Sequence, residues 1–445
     1  MTSSVPFAVR EHNLPAAHIR EYARATSNLQ DEGLRLHVRQ YTPVDNPEPQ
    51  KGDITIIGAH ANGFPKELYE PLWEDLYHKL KATGTRIRTI YTLDAAWQGQ
   101  SGILNADSLG NDPSWLDYTR DMQHMINILR PPRPLVGVGH SFGATALVNL
   151  AASHPRLLTA LVLLDPTYTR YVAFPNSGAV FQPAGASIVR RDAWPDRAEA
   201  EKAFRRNPFY ASWDERVFRR WMDFGIRDSD SDDSGGEAKG KGKSKGEGNG
   251  RVVLSTTKHQ EVFTYLRPSW AAYDAAGQTL VDPSPVPDLD PTLQAEGAPT
   301  YPFYRPEGAS TVSRLPGLRP PVLHVFGGRS MLSAPEFRRQ KMELTGTGLG
   351  GSGGAARGRV AEVVGEPYGH LIPMEAPGFC ADAAAGWIGE RVAEWRAEER
   401  EYEAWARKSQ EEKTTLSAEF IKYTGVKLRD GTTTQGRTDK PKSKI

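Results

Sequence analysis

Five residues, Gly139-His140-Ser141-Phe142-Gly143, set a hydroxyl between two glycines, each two positions away. The apolar run Leu135-Val136-Gly137-Val138 precedes them, and a helix-like stretch, 144–152, follows. Strand, sharp turn and helix form the context in which Gly-x-Ser-x-Gly builds a nucleophile elbow. So sharp a turn strains the serine backbone and crowds its neighbours, which calls for glycine on both sides. The chemistry such a turn supports is attack on an acyl carbon. Ser141 would be the nucleophile, and the Phe142 amide would face the developing oxyanion.

A serine hydroxyl needs a base within reach. Of eleven histidines, His370 is the one suitably placed. It follows the last predicted strand by a short loop, Gly365-Glu366-Pro367-Tyr368-Gly369, with a helix after it. His140 adjoins the serine, but neighbouring side chains on such a turn diverge, so it does not serve as base. His324 lies within a predicted strand and reads as a core residue, and His259 is a lesser candidate. A second oxyanion donor is expected from the loop after an early strand. His60-Ala61-Asn62-Gly63-Phe64-Pro65 follows the apolar run 53–59, and the Phe64 amide is the expected donor, with Asn62 as alternative. The polar loop 94–101 reads as structural.

These residues need a scaffold. Segment 34–41 alternates apolar and charged residues as an edge strand does, whereas 53–59 and 158–164 are continuous apolar runs of buried parallel strands. Helical spacing over 68–81 and 113–129 separates them, so strand and helix alternate, which predicts a mostly parallel sheet covered on both faces. From 166 to 319 the alternation stops, in a stretch of aromatic-rich helical pieces (198–209, 213–224) and proline-rich loops (281–302). This reads as a cap inserted between core segments 1–165 and 320–415, with 416–445 as a tail. Within the cap, 229–250 has an acidic half and a basic Gly/Lys half and is expected to lack fixed structure. A second such insertion is expected at 345–358. Strands are expected at 321–326 and 360–364, and a long amphipathic helix at 376–413 that packs one face on the sheet.

The 445 residues suit one large α/β domain with insertions, or two ordinary domains. Fifty-five Lys and Arg balance 54 Asp and Glu, so no charge field argues for nucleic acid or an anionic membrane as partner. The single cysteine, Cys380, excludes an internal disulfide and reads as a buried structural thiol. No secretory signal is apparent, and no apolar run approaches the ~20 residues that span a bilayer. The final residues Ser443-Lys444-Ile445 differ from the peroxisomal address Ser-Lys-Leu by one aliphatic isomer, so a peroxisomal import receptor is an expected partner. Cytoplasm is the alternative location.

In these motifs the chain resembles the α/β-hydrolase superfamily over nearly its full length, the insertions and tails excepted. The segments Ile19-Arg20-Glu21-Tyr22 and 59–72, together with the Ser-Lys-Ile end, resemble a narrower group. These are filamentous-fungal hydrolases that include proteins tied to AK-toxin biosynthesis, related to a yeast peroxisomal lipase. The resemblance implies an α/β fold with a mostly parallel eight-stranded sheet and the chain order serine, acid, histidine. Many relatives carry the acid after the strand corresponding to 321–326, in a Gly-x-x-Asp pattern. Here that stretch reads Gly327-Gly328-Arg329-Ser330, and a serine cannot stabilise an imidazolium as a carboxylate does. Other relatives, haloalkane dehalogenases among them, carry the acid one strand earlier, a place filled here by Asp165 in Leu161-Val162-Leu163-Leu164-Asp165-Pro166. Asp165 is therefore the expected acid and Glu336 the runner-up.

The reading is a serine hydrolase of carboxylic esters or thioesters, with an apolar acyl substrate under the cap and no metal or organic cofactor. Two alternatives stand beside it: C–C bond hydrolysis or perhydrolysis on the same scaffold, and a degenerate hydrolase that only binds. The missing acid at 330 motivates the last.

Overall fold

The computed structural model describes residues 6–169, 182–229, 250–293 and 300–426. Two compact units divide the chain, residues 1–391 and 392–445. In the first, strands β1 (Phe7–Pro15), β2 (Arg35–Pro43), β3 (Ile54–Ala59) and β4 (Ile87–Leu93) enclose helix α1 (Glu70–Ala82). Then come α2 (Gly99–Leu104), α3 (Trp115–Leu129), β5 (Leu135–His140), α4 (Phe142–Ser153) and β6 (Ala160–Leu164). A long insertion holds α5 (Gln182–Val189), β7 (Ala193–Trp194), α6 (Arg197–Arg206), α7 (Pro208–Ala211) and α8 (Glu215–Arg220). It continues through β8 (Ile226–Asp228), β9 (Val252–Leu254), α9 (Lys258–Tyr265), β10 (Arg267–Pro268), β11 (Phe303–Tyr304) and α10 (Glu307–Arg314). The core resumes with β12 (Val322–Gly327), α11 (Pro335–Leu344), β13 (Val360–Gly365), α12 (Ile372–Glu375) and α13 (Pro377–Ala406).

Eight strands form one sheet in the order β1-β2-β4-β3-β5-β6-β12-β13. The β1/β2 and β2/β4 pairs are antiparallel and all others parallel. Every residue of β3, β5, β6 and β12 is buried, as strands covered on both faces must be. This is the doubly covered, mostly parallel sheet expected. The insertion leaves the sheet after β6 and returns at β12, and these two strands are neighbours, so it interrupts the chain without interrupting the sheet.

Four expectations need correction. The edge strand is β1, not β2; β1 shows mostly exposed residues, which hid its pairing from the sequence pattern. The cap does not run undivided to 319, because Val312, Leu315 and Leu318 join the cluster of buried side chains formed by α3, α4 and the sheet. The 345–358 segment is an ordered loop. Gly346, Gly348 and Ser352 donate to the carbonyls of Leu315, Pro316 and Leu318, and glycines at positive φ (Gly346, Gly353) let the backbone make the turns. The long helix stops at Ala406. Beyond it come α14 (Gln410–Thr414), started by a Ser409/Glu412 capping box, and, within the 416–445 segment, α15 (Ala418–Thr424), capped by Ser417. Of the 229–250 segment, residues 230–249 lie outside the described residues, as do Ser443, Lys444 and Ile445.

Candidate active site

Ser141 sits between β5 and α4 with φ 56° and ψ −117°, a conformation that a side chain adopts only under constraint. Its neighbours explain how it is held. A Cβ at Gly143 would lie 2.5 Å from backbone atoms of Ala59 and His60, and one at Gly139 would lie 2.7 Å from Leu147. The serine amide donates to Leu164 at 2.9 Å, tying the turn to the end of β6. The next residue, Asp165, also has positive φ (42°), and its amide donates to Val325 of β12. The ends of β5, β6 and β12 thus meet at one point.

His370, on the loop between β13 and α12, reaches that point. Its Nε2 lies 2.9 Å from Ser141 Oγ and its Nδ1 lies 2.6 Å from Asp165 Oδ2. A carboxylate only accepts, so Nδ1 carries the proton and Nε2 is free to accept from the serine. Asp165 is fully buried. Burial alone would raise its pKa, but hydrogen bonds and charge outweigh it and hold the carboxyl below its ordinary value. His370 is the largest of these influences, followed by Ser330 and Ser333. Ser330 donates to Oδ2 at 2.5 Å, Ser333 donates to Oδ1, and the Gly327 amide donates to Oδ1 at 3.1 Å. The serine at the position where many relatives carry an acid is therefore a donor to the acid of the neighbouring strand. Glu336 is exposed in the first turn of α11.

The oxyanion side departs from expectation at one residue. The Phe142 amide, at the first turn of α4, has no acceptor among the described residues. The Phe64 amide instead donates to the Ala61 carbonyl across the turn at 3.2 Å. Its ring packs against Trp213 and Trp221 of the insertion, at centroid distances of 5.8 and 6.2 Å. Phe64 thus anchors the insertion, and the backbone N–H of this loop without an acceptor among the described residues is that of Asn62, the alternative. Asn62 is clamped: Gln98 Nε2 donates to its Oδ1 at 2.6 Å, and its Nδ2 donates to the Glu261 carbonyl at 3.0 Å. Gln98 Oε1 also accepts from the Gly63 amide at 2.8 Å. The 94–101 loop is structural in this sense, since Gln98 ties it to the 60–65 loop.

The other candidates have different surroundings. His324 pairs through Nε2 with Tyr168 (2.7 Å) in the core, and burial lowers its pKa to about 3. His259 is exposed on α9. Cys380 is buried, which raises its thiol pKa, as suits a structural thiol. His37, Glu67 and Asp94 bring ligand-type atoms within 4.8 Å of one another, but the Lys66 ammonium binds Asp94 at 2.6 Å and Glu67 at 2.7 Å, so a cation already neutralises them. Among the described residues no helix is long and apolar enough to cross a membrane.

Ser141, Phe142 and His370 line a cavity of about 850 Å³. Its walls are largely aromatic and aliphatic, including Trp115, Phe204, Phe209, Tyr210, Tyr265 and Leu332. That size and lining suit a mostly apolar ligand with its polar group held at Ser141. Missing from the sequence reading were Ser333, Gln98, Tyr69 and the contact of His140 with His370. Only His140 carried a signal, its place beside the serine.

Comparison with known proteins agrees with this geometry. Residues 56–383 match the Alpha/beta hydrolase family. The chain is 37% identical to a Type I acyl-CoA thioesterase, mpaH, of Penicillium roqueforti, over 90% of this chain and 92% of that protein. It is 27% identical to the Abhydrolase domain-containing protein AKT2 of Alternaria alternata, over 66% of this chain and 99% of that protein. Among solved structures, the peroxisomal alpha-beta-hydrolase Lpx1 of Saccharomyces cerevisiae has the same fold, with a TM-score of 0.63 at 16% identity. That match covers 95% of this chain and 96% of that one.

Proposed function

Because the chain belongs to the alpha/beta hydrolase family, and is an enzyme of that family, we propose that it hydrolyses acyl thioesters of the acyl-CoA type through Ser141, His370 and Asp165. The observation that carries the proposal is the unbroken hydrogen-bond line from Ser141 Oγ through both nitrogens of His370 to Asp165. Ester or thioester hydrolysis is the activity class that the relatives support; the thioester preference rests on the likeness to the Penicillium thioesterase.

His370 Nε2 takes the Ser141 proton as Oγ attacks the thioester carbon. The amides of Phe142 and Asn62 donate to the oxygen that becomes negative. The C–S bond then breaks, and His370 returns its proton to the departing thiolate, which leaves as a thiol. Water enters, gives a proton to the same nitrogen and attacks the acyl–Ser141 ester. The ester C–O bond then breaks, His370 gives that proton to the departing Ser141 Oγ, and a carboxylic acid is released with the serine restored. Asp165 stays ionised throughout and stabilises the imidazolium. The apolar cavity holds the acyl chain.

The binding-only alternative drew its motive from the missing carboxylate at 330, and Asp165 at 2.6 Å from His370 removes that motive. The Ser443-Lys444-Ile445 sequence supports import into peroxisomes, which a fluorescent fusion with and without these residues tests. The activity is tested by labelling with a fluorophosphonate probe and by thiol release from acyl-CoA. Labelling and turnover in the wild type that vanish in Ser141→Ala support the reading; a wild type that neither labels nor releases thiol overturns it.

A further inference from the structure

The mechanism leaves one buried imidazole beside the nucleophile unused. His140 Nε2 lies 2.8 Å from the backbone carbonyl oxygen of His370. A carbonyl only accepts, so this nitrogen carries the proton and Nδ1 must accept. At 2.8 Å from Nδ1 stands the Tyr69 hydroxyl, which can therefore only donate to it. The same phenol oxygen accepts the Ala61 amide at 2.9 Å. The direction of every hydrogen bond is thus fixed, from the Ala61 N–H through the Tyr69 O–H to His140 Nδ1, and from His140 Nε2–H to the His370 carbonyl.

The ends of this chain matter. Ala61 precedes Asn62, whose amide faces the oxyanion, and His370 is the base. The middle member, His140, precedes the nucleophile. Tyr69 ends a short helical turn (Lys66–Tyr69) that leads into α1, so the chain is anchored on a rigid element. Ala61, Tyr69 and His140 are all buried, which keeps water from replacing any of these bonds. Burial also lowers the His140 pKa to about 3 and raises that of Tyr69, so neither changes charge near neutrality.

We propose that Tyr69 and His140 are positioning residues that hold the oxyanion loop and the base loop at fixed distances from Ser141, and that His140 does so only as its Nε2–H tautomer. The inference rests on Ser141 and His370 having the roles given above. Removing the Tyr69 hydroxyl leaves the His140 Nδ1 lone pair and the Ala61 N–H without their partner, while the His370 carbonyl still holds the proton on Nε2. The imidazole and the 60–65 loop are then free to shift, and the His370 backbone bonded to His140 shifts with them.

The test uses the full chain and thiol release from an acyl-CoA, in Tyr69→Phe, His140→Leu and His140→Gln. Leucine keeps volume and removes both polar bonds; glutamine keeps a donor and an acceptor. Displacement of the base is expected to lower kcat ~10-fold in Tyr69→Phe and ~30-fold in His140→Leu, with KM within about twofold of wild type. Glutamine is expected to recover most of the loss. In ¹⁵N-histidine spectra His140 is expected as the Nε2–H tautomer in the wild type and in Tyr69→Phe, with the Nδ1 resonance shifted in the variant by loss of its hydrogen-bond donor. Thermal melting reports whether each variant folds; if His140→Leu does not, Tyr69→Phe, which loses one oxygen atom, still decides. Wild-type kcat in a folded Tyr69→Phe, or a glutamine variant no better than leucine, overturns the inference while Ser141-dependent turnover of the wild type preserves the catalytic reading. Absence of Ser141-dependent turnover in the wild type removes both.

Discussion

Replacing Asp165 by asparagine changes one oxygen into an NH₂ and should disable the base by selecting the wrong tautomer. Oδ1 accepts from the Gly327 amide at 3.1 Å and from Ser333. A backbone N–H cannot turn away, so the new amide must keep its oxygen there and point its NH₂ at His370 and Ser330. Ser330 can rotate to accept. His370 Nδ1 must also become an acceptor, which moves the imidazole proton to Nε2, where it faces Ser141 Oγ. The nitrogen that should take the serine proton then already holds one. The corresponding aspartate-to-asparagine change in serine proteases costs ~10⁴ in kcat, and at 1.36 kcal/mol per decade that is about 5.4 kcal/mol of transition-state stabilisation. The same loss is expected here. The assay is steady-state thiol release beside fluorophosphonate labelling rate, with thermal melting to confirm the fold. A folded Asp165→Asn within tenfold of wild-type kcat would refute the tautomer argument and the assignment of the acid. Adding Ser330→Asp to this variant puts a carboxylate on the next strand, at an atom that already lies 2.5 Å from Oδ2, and is expected to recover at least ~10-fold of the loss.

Three further outcomes follow from the same geometry. Because the Asp165 carboxyl titrates below its ordinary value in the fold, it adds stability above the unfolded-state pKa, and this is lost as pH falls through the folded value. Ser330→Ala with Ser333→Ala removes two donors and raises that folded pKa, so acid unfolding followed by circular dichroism should begin at a higher pH than in the wild type. Gln98→Ala frees both Asn62 Oδ1 and the Gly63 amide, and the loosened oxyanion loop should cost ~10-fold in kcat with little change in KM. Gly143→Ala places a methyl 2.5 Å from backbone atoms of Ala59 and His60, which cannot yield as a side-chain end can, and about 3 kcal/mol of destabilisation is expected in a denaturant titration.

What could be read from the sequence depended on how local its cause was. Ser141 was legible because an elbow is made by its own flanking glycines and by the strand and helix joined to it. His370 was legible because strand, loop and helix follow in order. Asp165 is different: 205 residues separate it from its partner histidine, and only the vacancy at 330 pointed to it. Its actual supports, Ser330 and Ser333, resemble ordinary helix-start serines, and Ser330 does cap a turn, accepting from the Leu332 amide. The turn bond of the Phe64 amide to Ala61 was illegible for the same reason. Which amide of a six-residue loop stays free depends on a turn bond and on packing against Trp213 and Trp221, some 150 residues on, which no local pattern encodes.

The long insertion shows why such a site nevertheless tolerates change around it. It leaves after β6 and returns at β12, adjacent strands whose ends carry Asp165 and Ser330. The sheet fixes the spacing of those ends through its own register, with Leu164 opposite Val325, whatever lies between them in sequence. Ser330 and His370 Nδ1 thus both reach the same oxygen, Asp165 Oδ2. A carboxylate at either can serve the imidazole, and a serine at the other then becomes its donor rather than its replacement. On this argument, the place of the acid along the chain is set by which of two touching side chains is charged, and no backbone rearrangement is needed to move it.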